Sequence, residues 1–144
     1  MIQFHNVYKS YPSGHDALDG VSFRLSKGEM AFLTGHSGAG KSTFLKLISL
    51  IERPSKGQIL FENVNLRSVS KRKIAYHRRK IGMIFQNNLL LDNRSVFDNV
   101  ALPLEVSGYR TIEVKKRAQA ALDKVGLLHY RRKLPSELSS TSLL

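Results

Sequence analysis

Eight consecutive residues of this 144-residue chain could do chemistry together: Gly35-His36-Ser37-Gly38-Ala39-Gly40-Lys41-Ser42. They fit G-x-x-x-x-G-K-[ST], the pattern of a phosphate-binding P-loop. The glycines let the backbone turn tightly and bring its N–H groups within reach of phosphate oxygens, where a Cβ would crowd them. Lys41 would supply a mobile point charge for the outer phosphates, and the Ser42 hydroxyl a ligand for Mg2+. A helix starting at the loop would add the partial positive charge of its N-terminus. The pattern therefore predicts binding of a nucleoside phosphate. A dinucleotide fingerprint is excluded, because Thr43 stands where the third glycine would have to be.

Such a loop needs a strand before it and a helix behind it. Residues 29–34 (Glu-Met-Ala-Phe-Leu-Thr) form a short apolar run of strand length ending at Gly35. From Thr43 to Ile51, Phe44, Leu47, Ile48 and Ile51 recur at helical spacing. Upstream, Ile2 to Tyr8 reads as a strand with Ile2 and Phe4 facing in and His5 and Val7 left open. Tyr11-Pro12-Ser13-Gly14 is a turn signal. Val21 to Leu25 alternates as a half-buried strand, and Gln58 to Phe61 reads as another. A basic helix is expected from Ser70 to Lys80, followed by a buried strand over Ile81 to Phe85, a continuous apolar run ending at Gln86. After Gln86 the character changes. Ser95-x-x-Asp98 is a capping-box pattern opening a helix with Val96, Phe97, Val100, Ala101 and Leu104 on one side, which Pro103 should kink or end. Thr111 can cap a further helix whose inner face carries Val114, Ala118, Ala121, Leu122 and Val125, stopped by Gly126. The expected organisation is an α/β nucleotide-binding core over 1–86, the start of a helical subdomain over 87–138, and a tail over 139–144 that frays.

Composition excludes several classes. With no cysteine there is neither a disulfide framework nor a thiolate metal site. No basic-then-apolar leader follows Met1, and no apolar stretch is long enough to span a bilayer. The 23 Lys and Arg against 11 Asp and Glu give a formal charge of +12, gathered at 71–73, 78–80, 115–117 and 131–133. Such clusters suit nucleic acid or an anionic membrane face. Solvated helix faces account for them more simply, and no aromatic-interleaved nucleic-acid motif accompanies them.

Over nearly its whole length the chain resembles the ATP-binding subunits of ATP-binding cassette (ABC) transporters. The resemblance rests on residues 28–43, on 51–55 (Ile-Glu-Arg-Pro-Ser), on 81–86 (Ile-Gly-Met-Ile-Phe-Gln), on 99–104 and on 121–128. The run from Gly28 to His36 is similar, more narrowly, to the branch of the family that acts in bacterial cell division. The resemblance implies a P-loop NTPase fold and a site for ATP and Mg2+. Gly35, His36, Ser37, Gly38, Ala39, Gly40, Lys41, Ser42 and Thr43 would line the phosphates. Tyr11 aligns with the aromatic residue that stacks on adenine, although on its own it is equally well a turn residue. Gln86 aligns with the glutamine that contacts Mg2+ and the attacking water, so Ser42 and Gln86 would be the metal contacts. Taken alone, Gln86 is a polar cap at a strand end. The region from Asn87 to about Leu104 would face an integral membrane partner subunit, and there Leu89, Leu90, Leu91 and Phe97 are open between core and interface. Also implied are a homodimer in full-length relatives and a peripheral position on the cytoplasmic face of the inner membrane, with no nucleic-acid partner.

The chain departs from the family after Leu138-Ser139. Relatives continue with two glycines and an acidic residue or Gln, the signature that binds the other subunit's γ-phosphate; here Ser140-Thr141-Ser142-Leu143-Leu144 follows. No counterpart is found for the signature, the Walker B Asp and catalytic Glu, the dimerisation loop or the switch His. The expectation is a truncated subunit in which ATP binding is favoured over hydrolysis. Loss of strands beside the P-loop strand would also leave it marginally stable, aggregation-prone or dependent on a partner. The alternatives are a subunit of a related ABC transporter or export system, and a non-catalytic binding remnant.

Overall fold

The computed structural model describes residues 1–85 and 89–138. Two of the expectations above, the role of Gln86 and the frayed tail over 139–144, lie outside the described residues. The chain divides into two compact units, Met1–Gly82 and Met83–Leu144.

The first unit is built on a four-stranded antiparallel sheet. Strands β1 (Ile2–Ser10), β2 (Asp16–Leu25), β3 (Lys56–Phe61) and β4 (Val64–Asn65) lie in the order β2-β1-β3-β4. Helices α1 (Lys41–Ile48) and α2 (Ile74–Arg78) complete the unit. β1 pairs Ile2 with Leu25 and Phe4 with Phe23 on one side, and Phe4 with Ile59 on the other. An irregularity between Phe4 and Val7, with Asn6 at φ 48°, resets the two-residue alternation. That is why Phe4 and Val7, three apart, are both buried while His5 is exposed. Gly57 sits against this kink with φ 81°, where a Cβ would meet the Asn6 carbonyl oxygen at 2.2 Å.

α1 lies on the sheet through Phe44, whose ring stacks on Phe4 at 4.3 Å and meets the edge of Phe23 at 5.6 Å. Phe4, Val7, Leu18, Phe44, Leu47, Ile48, Leu50, Ile59, Leu66 and Val69 form one continuous core. Ile51, expected on the inner face of α1, is exposed because the helix has already closed at Ile48.

Two expected strands are not formed. Residues 29–34 and 81–85 have no ladder partner among the described residues; Ile81 still packs against the core, but Met30, Phe32 and Ile84 are 82%, 85% and 98% exposed. A strand meant to be buried on both faces is held by its neighbours rather than by its own composition. The expected basic helix is also shorter: a 3-10 turn over Lys71–Lys73 runs into the five residues of α2.

The second unit is built on a pair of helices, α3 (Val96–Val106) and α4 (Thr111–Lys124), which meet through Ala101, Val114 and Ala118 with Phe97, Val100 and Leu104 around them. Ser95 and Asp98 form the expected capping box. Pro103 does not end α3, which runs on to Val106; the Pro103 carbonyl still accepts from the Ser107 N–H and hydroxyl. Ala121 and Val125, expected inside, are exposed, so the buried stripe of α4 is the narrower Val114, Ala118 and Leu122. Leu89, Leu90 and Leu91 are exposed and Phe97 is half-buried.

Candidate functional site: a glycine loop on a helix N-terminus

The site is assembled where the glycine loop meets α1. Gly40 is the N-cap residue, in the left-handed region at φ 83°. A side chain there is impossible without movement: a Cβ would lie 2.2 Å from the Ala17 carbonyl oxygen and 3.0 Å from Leu18. Gly40 thus lets β2 pass directly beneath the loop. Lys41 and Ser42 follow as the first residues of α1, and no acidic residue lies in its first turn, so the partial positive charge of the helix end is not neutralised. The same loop carries Gly35 at φ 144° and Gly38 at φ 82°.

Lys41 folds back over the loop, its Nζ donating to the carbonyl oxygens of Gly35 and His36 at 2.6 Å each. His36 donates from Nδ1 to the Ser37 carbonyl at 2.7 Å, and the Ala39 N–H returns to the His36 carbonyl at 3.2 Å. Gly35 through Ala39 are otherwise exposed. The cavity beneath the loop, about 440 Å³, is lined mainly by Leu18, Phe23, Phe32, Leu33, Phe44 and other apolar residues. Ala39, Gly40 and Lys41 border the same cavity.

Tyr11 and Thr43 are brought together. The Tyr11 hydroxyl lies 3.2 Å from Thr43 Oγ1, and Lys9 Nζ stands 4.8 Å from the centre of the Tyr11 ring. The turn that carries Tyr11 is closed by hydrogen bonds from the Tyr11 N–H to the His15 carbonyl and from the Gly14 N–H to the Tyr11 carbonyl, 2.9 Å each. Among the described residues, no three His, Cys, Asp or Glu are grouped to hold a metal. The Ser42 hydroxyl would be one ligand for a divalent cation at this site.

Sequence patterning missed the residues that anchor the far end of α1. The helix closes in a Schellman-type turn in which the Ile51 N–H bonds the Lys46 carbonyl at 2.9 Å and Leu50 adopts φ 55°. For leucine this conformation costs about 1–2 kcal/mol. Leu50 is nonetheless buried in the core, and α2 captures the carbonyls that the turn leaves open. Buried His77 donates Nε2–H to the Ile48 carbonyl at 2.6 Å, while Arg78 donates to Ser49 and Leu50 at 3.0 and 2.9 Å. The two side chains also place donors and positive charge at the negative end of the α1 dipole. In the sequence, His77 and Arg78 look like any other members of a basic run.

A glycine loop feeding Lys and Ser onto an uncompensated helix N-terminus defines a P-loop nucleotide-binding protein. The comparisons make the class specific: residues 18–142 match the model for the ABC transporter family, and the chain belongs to that family. Its fold is that of an ABC nucleotide-binding domain. It is 52% identical over 139 residues to the cell division ATP-binding protein FtsE of Escherichia coli (strain K12) and covers 96% of this chain and 63% of that relative. To the protein of the same name from Bacillus subtilis (strain 168) it is 46% identical, covering 61% of the relative. The methionine import ATP-binding protein MetN of Helicobacter pylori (strain HPAG1) is 40% identical over the same span, covering 42% of that protein. Among solved structures, the dimeric structure of MJ0796, a bacterial ABC transporter cassette, superposes with a TM-score of 0.88 at 32% identity over 99% of this chain and 65% of that one. A dimeric post-hydrolysis state of the same cassette bound to ADP and Pi gives 0.87 at 31% identity. The chain thus spans a little under two thirds of the length of the FtsE relatives and of the MJ0796 cassette, and less than half of MetN.

Proposed function

We propose that this chain is the ATP-binding subunit, or the nucleotide-binding part of one, of an ABC-type membrane complex acting in bacterial cell division. The observation that carries the nucleotide reading is the geometry at Gly40: the loop delivers Lys41 and Ser42 onto the first turn of α1 with no acid to compete for the helix end. Backbone N–H groups of residues 38–42 would hold the phosphates, Lys41 would leave the carbonyls of Gly35 and His36 to meet them, and Ser42 would share Mg2+ with phosphate oxygens. Gln86 would be a further contact to that ion. The Tyr11 ring would support the adenine and Thr43 would anchor the Tyr11 turn. The described residues assign no carboxylate to positioning an attacking water, so the residues on hand account for binding rather than turnover.

The division reading rests on the identity to FtsE proteins from two distant bacteria, higher than that to MetN. By that reading the partner is an FtsX-like integral membrane subunit, full-length relatives work as head-to-tail dimers around ATP, and the protein sits peripherally on the cytoplasmic face of the membrane. Among the described residues no helix is long and apolar enough to cross a membrane. Cross-linked capture from solubilised membranes of the host tests it. Recovery of a division membrane subunit agrees with the proposal. Recovery of a solute permease moves the chain to the transporter branch.

A further inference from the structure

The segment behind α2's buried face carries a charge pattern that the nucleotide site does not use. From residue 63 to residue 91 the sequence has seven Lys and Arg and no Asp or Glu. Two of the seven have side-chain partners, Arg78 capping α1 and Lys80 pairing with Glu62 at 2.7 Å, and Arg67 is exposed on an earlier 3-10 turn, Leu66–Ser68. The remaining four are different. Lys71, Arg72, Lys73 and Arg79 are all exposed, and none forms an ion pair among the described residues. Ile74 and His77 turn inward to the core and to α1, which fixes the other side of this short segment outward. On that side Tyr76 is 68% exposed, with the Arg79 guanidinium 5.0 Å from its ring centre.

We propose that Lys71, Arg72, Lys73 and Arg79, with Tyr76 between them, form a docking surface for the anionic headgroups of a phospholipid membrane. Three features favour that partner. Four unpaired cations with no acid in the surrounding stretch match the charge density of an anionic leaflet, where each Lys or Arg is worth about fivefold in partitioning. Tyr76 is the residue type that settles at a lipid–water boundary, ring towards the acyl region and hydroxyl towards water. The scaffold disfavours nucleic acid: α2 has five residues, too few to lie along a major groove, and one aromatic ring gives no stacking platform. A headgroup layer makes neither demand. The surface belongs to the first unit alone and is independent of whether nucleotide binds.

The test is sedimentation of the chain, without nucleotide, with phosphatidylcholine vesicles prepared with and without phosphatidylglycerol. Binding is expected only to the anionic vesicles and should weaken steeply with salt. Reversing the four charges together (Lys71→Glu, Arg72→Glu, Lys73→Glu, Arg79→Glu) should lower it by on the order of a hundredfold or more. A control with the same change in net charge on α4 and its neighbour (Lys115→Glu, Lys116→Glu, Lys124→Glu, Arg132→Glu) should keep most of the binding. Equal loss in both variants would mean non-specific attraction and would overturn the proposal. So would patch-dependent binding to duplex DNA without binding to vesicles. The chain contains no tryptophan, so Tyr76→Trp provides a single reporter that leaves every cation in place. Its emission should shift to the blue on anionic vesicles, and an unchanged spectrum would also overturn the proposal.

Discussion

The Tyr11 hydroxyl lies 3.2 Å from the Thr43 hydroxyl, tying the turn after β1 to the second residue behind the P-loop lysine. The bond and the ring have separable jobs. Tyr11→Phe keeps the ring and removes the hydrogen bond, at a cost of about 1 kcal/mol in stability, with ATP affinity changed less than about threefold. Tyr11→Ala removes the stacking surface and should weaken ATP by about tenfold, since aromatic stacking on a base is worth about 1–3 kcal/mol. Equilibrium titration with a fluorescent ATP analogue distinguishes them. Equal loss in both variants would assign Tyr11 to the turn alone.

Gly40 and Gly38 share a left-handed backbone but not an environment. Alanine at 38 meets nothing within 4 Å, whereas alanine at 40 would collide with the Ala17 carbonyl. Gly38→Ala should therefore cost only the conformational term of about 1–2 kcal/mol, and Gly40→Ala clearly more, because β2 must move. Urea unfolding of the two variants checks the order.

The His77 hydrogen bond to Ile48 is expected to matter for α1 through donor position rather than aromaticity. His77→Leu leaves a buried carbonyl without its donor, which costs about 1–3 kcal/mol. His77→Gln, whose amide can reach the same oxygen, should recover at least half of that in thermal or urea unfolding. No recovery would mean that the edge contact with Phe61, 4.9 Å between ring centres, is the larger contribution.

How far these features were legible in the sequence differs from residue to residue. The loop, α1 and the strands β1 and β2 follow from local signals: glycine spacing, the recurrence of Phe44, Leu47 and Ile48, and the alternation of Val21, Phe23 and Leu25. Residues 29–34 and 81–85 carry equally strong strand composition, yet they have no ladder partner among the described residues, because a ladder is a property of two segments and composition describes one. His5 was ambiguous because the irregularity at Asn6 leaves no mark in the hydrophobic pattern. The clamp of His77 and Arg78 on α1 joins residues 28 and 29 positions apart, a distance over which no local period speaks.

Those two exposed segments carry their own consequence. Phe32 and Ile84 present large apolar side chains to solvent in segments with unpaired backbone groups, a combination that favours self-association. Phe32→Ser with Ile84→Thr should lower light scattering of the concentrated chain without lowering its melting temperature. A fall in melting temperature would show instead that the two side chains are buried in solution.

The central claim is that residues 35–42 bind the phosphates of ATP through Lys41 and the N-terminus of α1. Calorimetric titration of ATP with Mg2+ into the chain and into Lys41→Ala tests it most directly. The predicted result is saturable binding by the chain, weakened at least about tenfold in the variant, in keeping with the loss of a charge-assisted contact of about 1.5–3 kcal/mol. Equal affinity in the two proteins, with both folded by circular dichroism, would contradict the account.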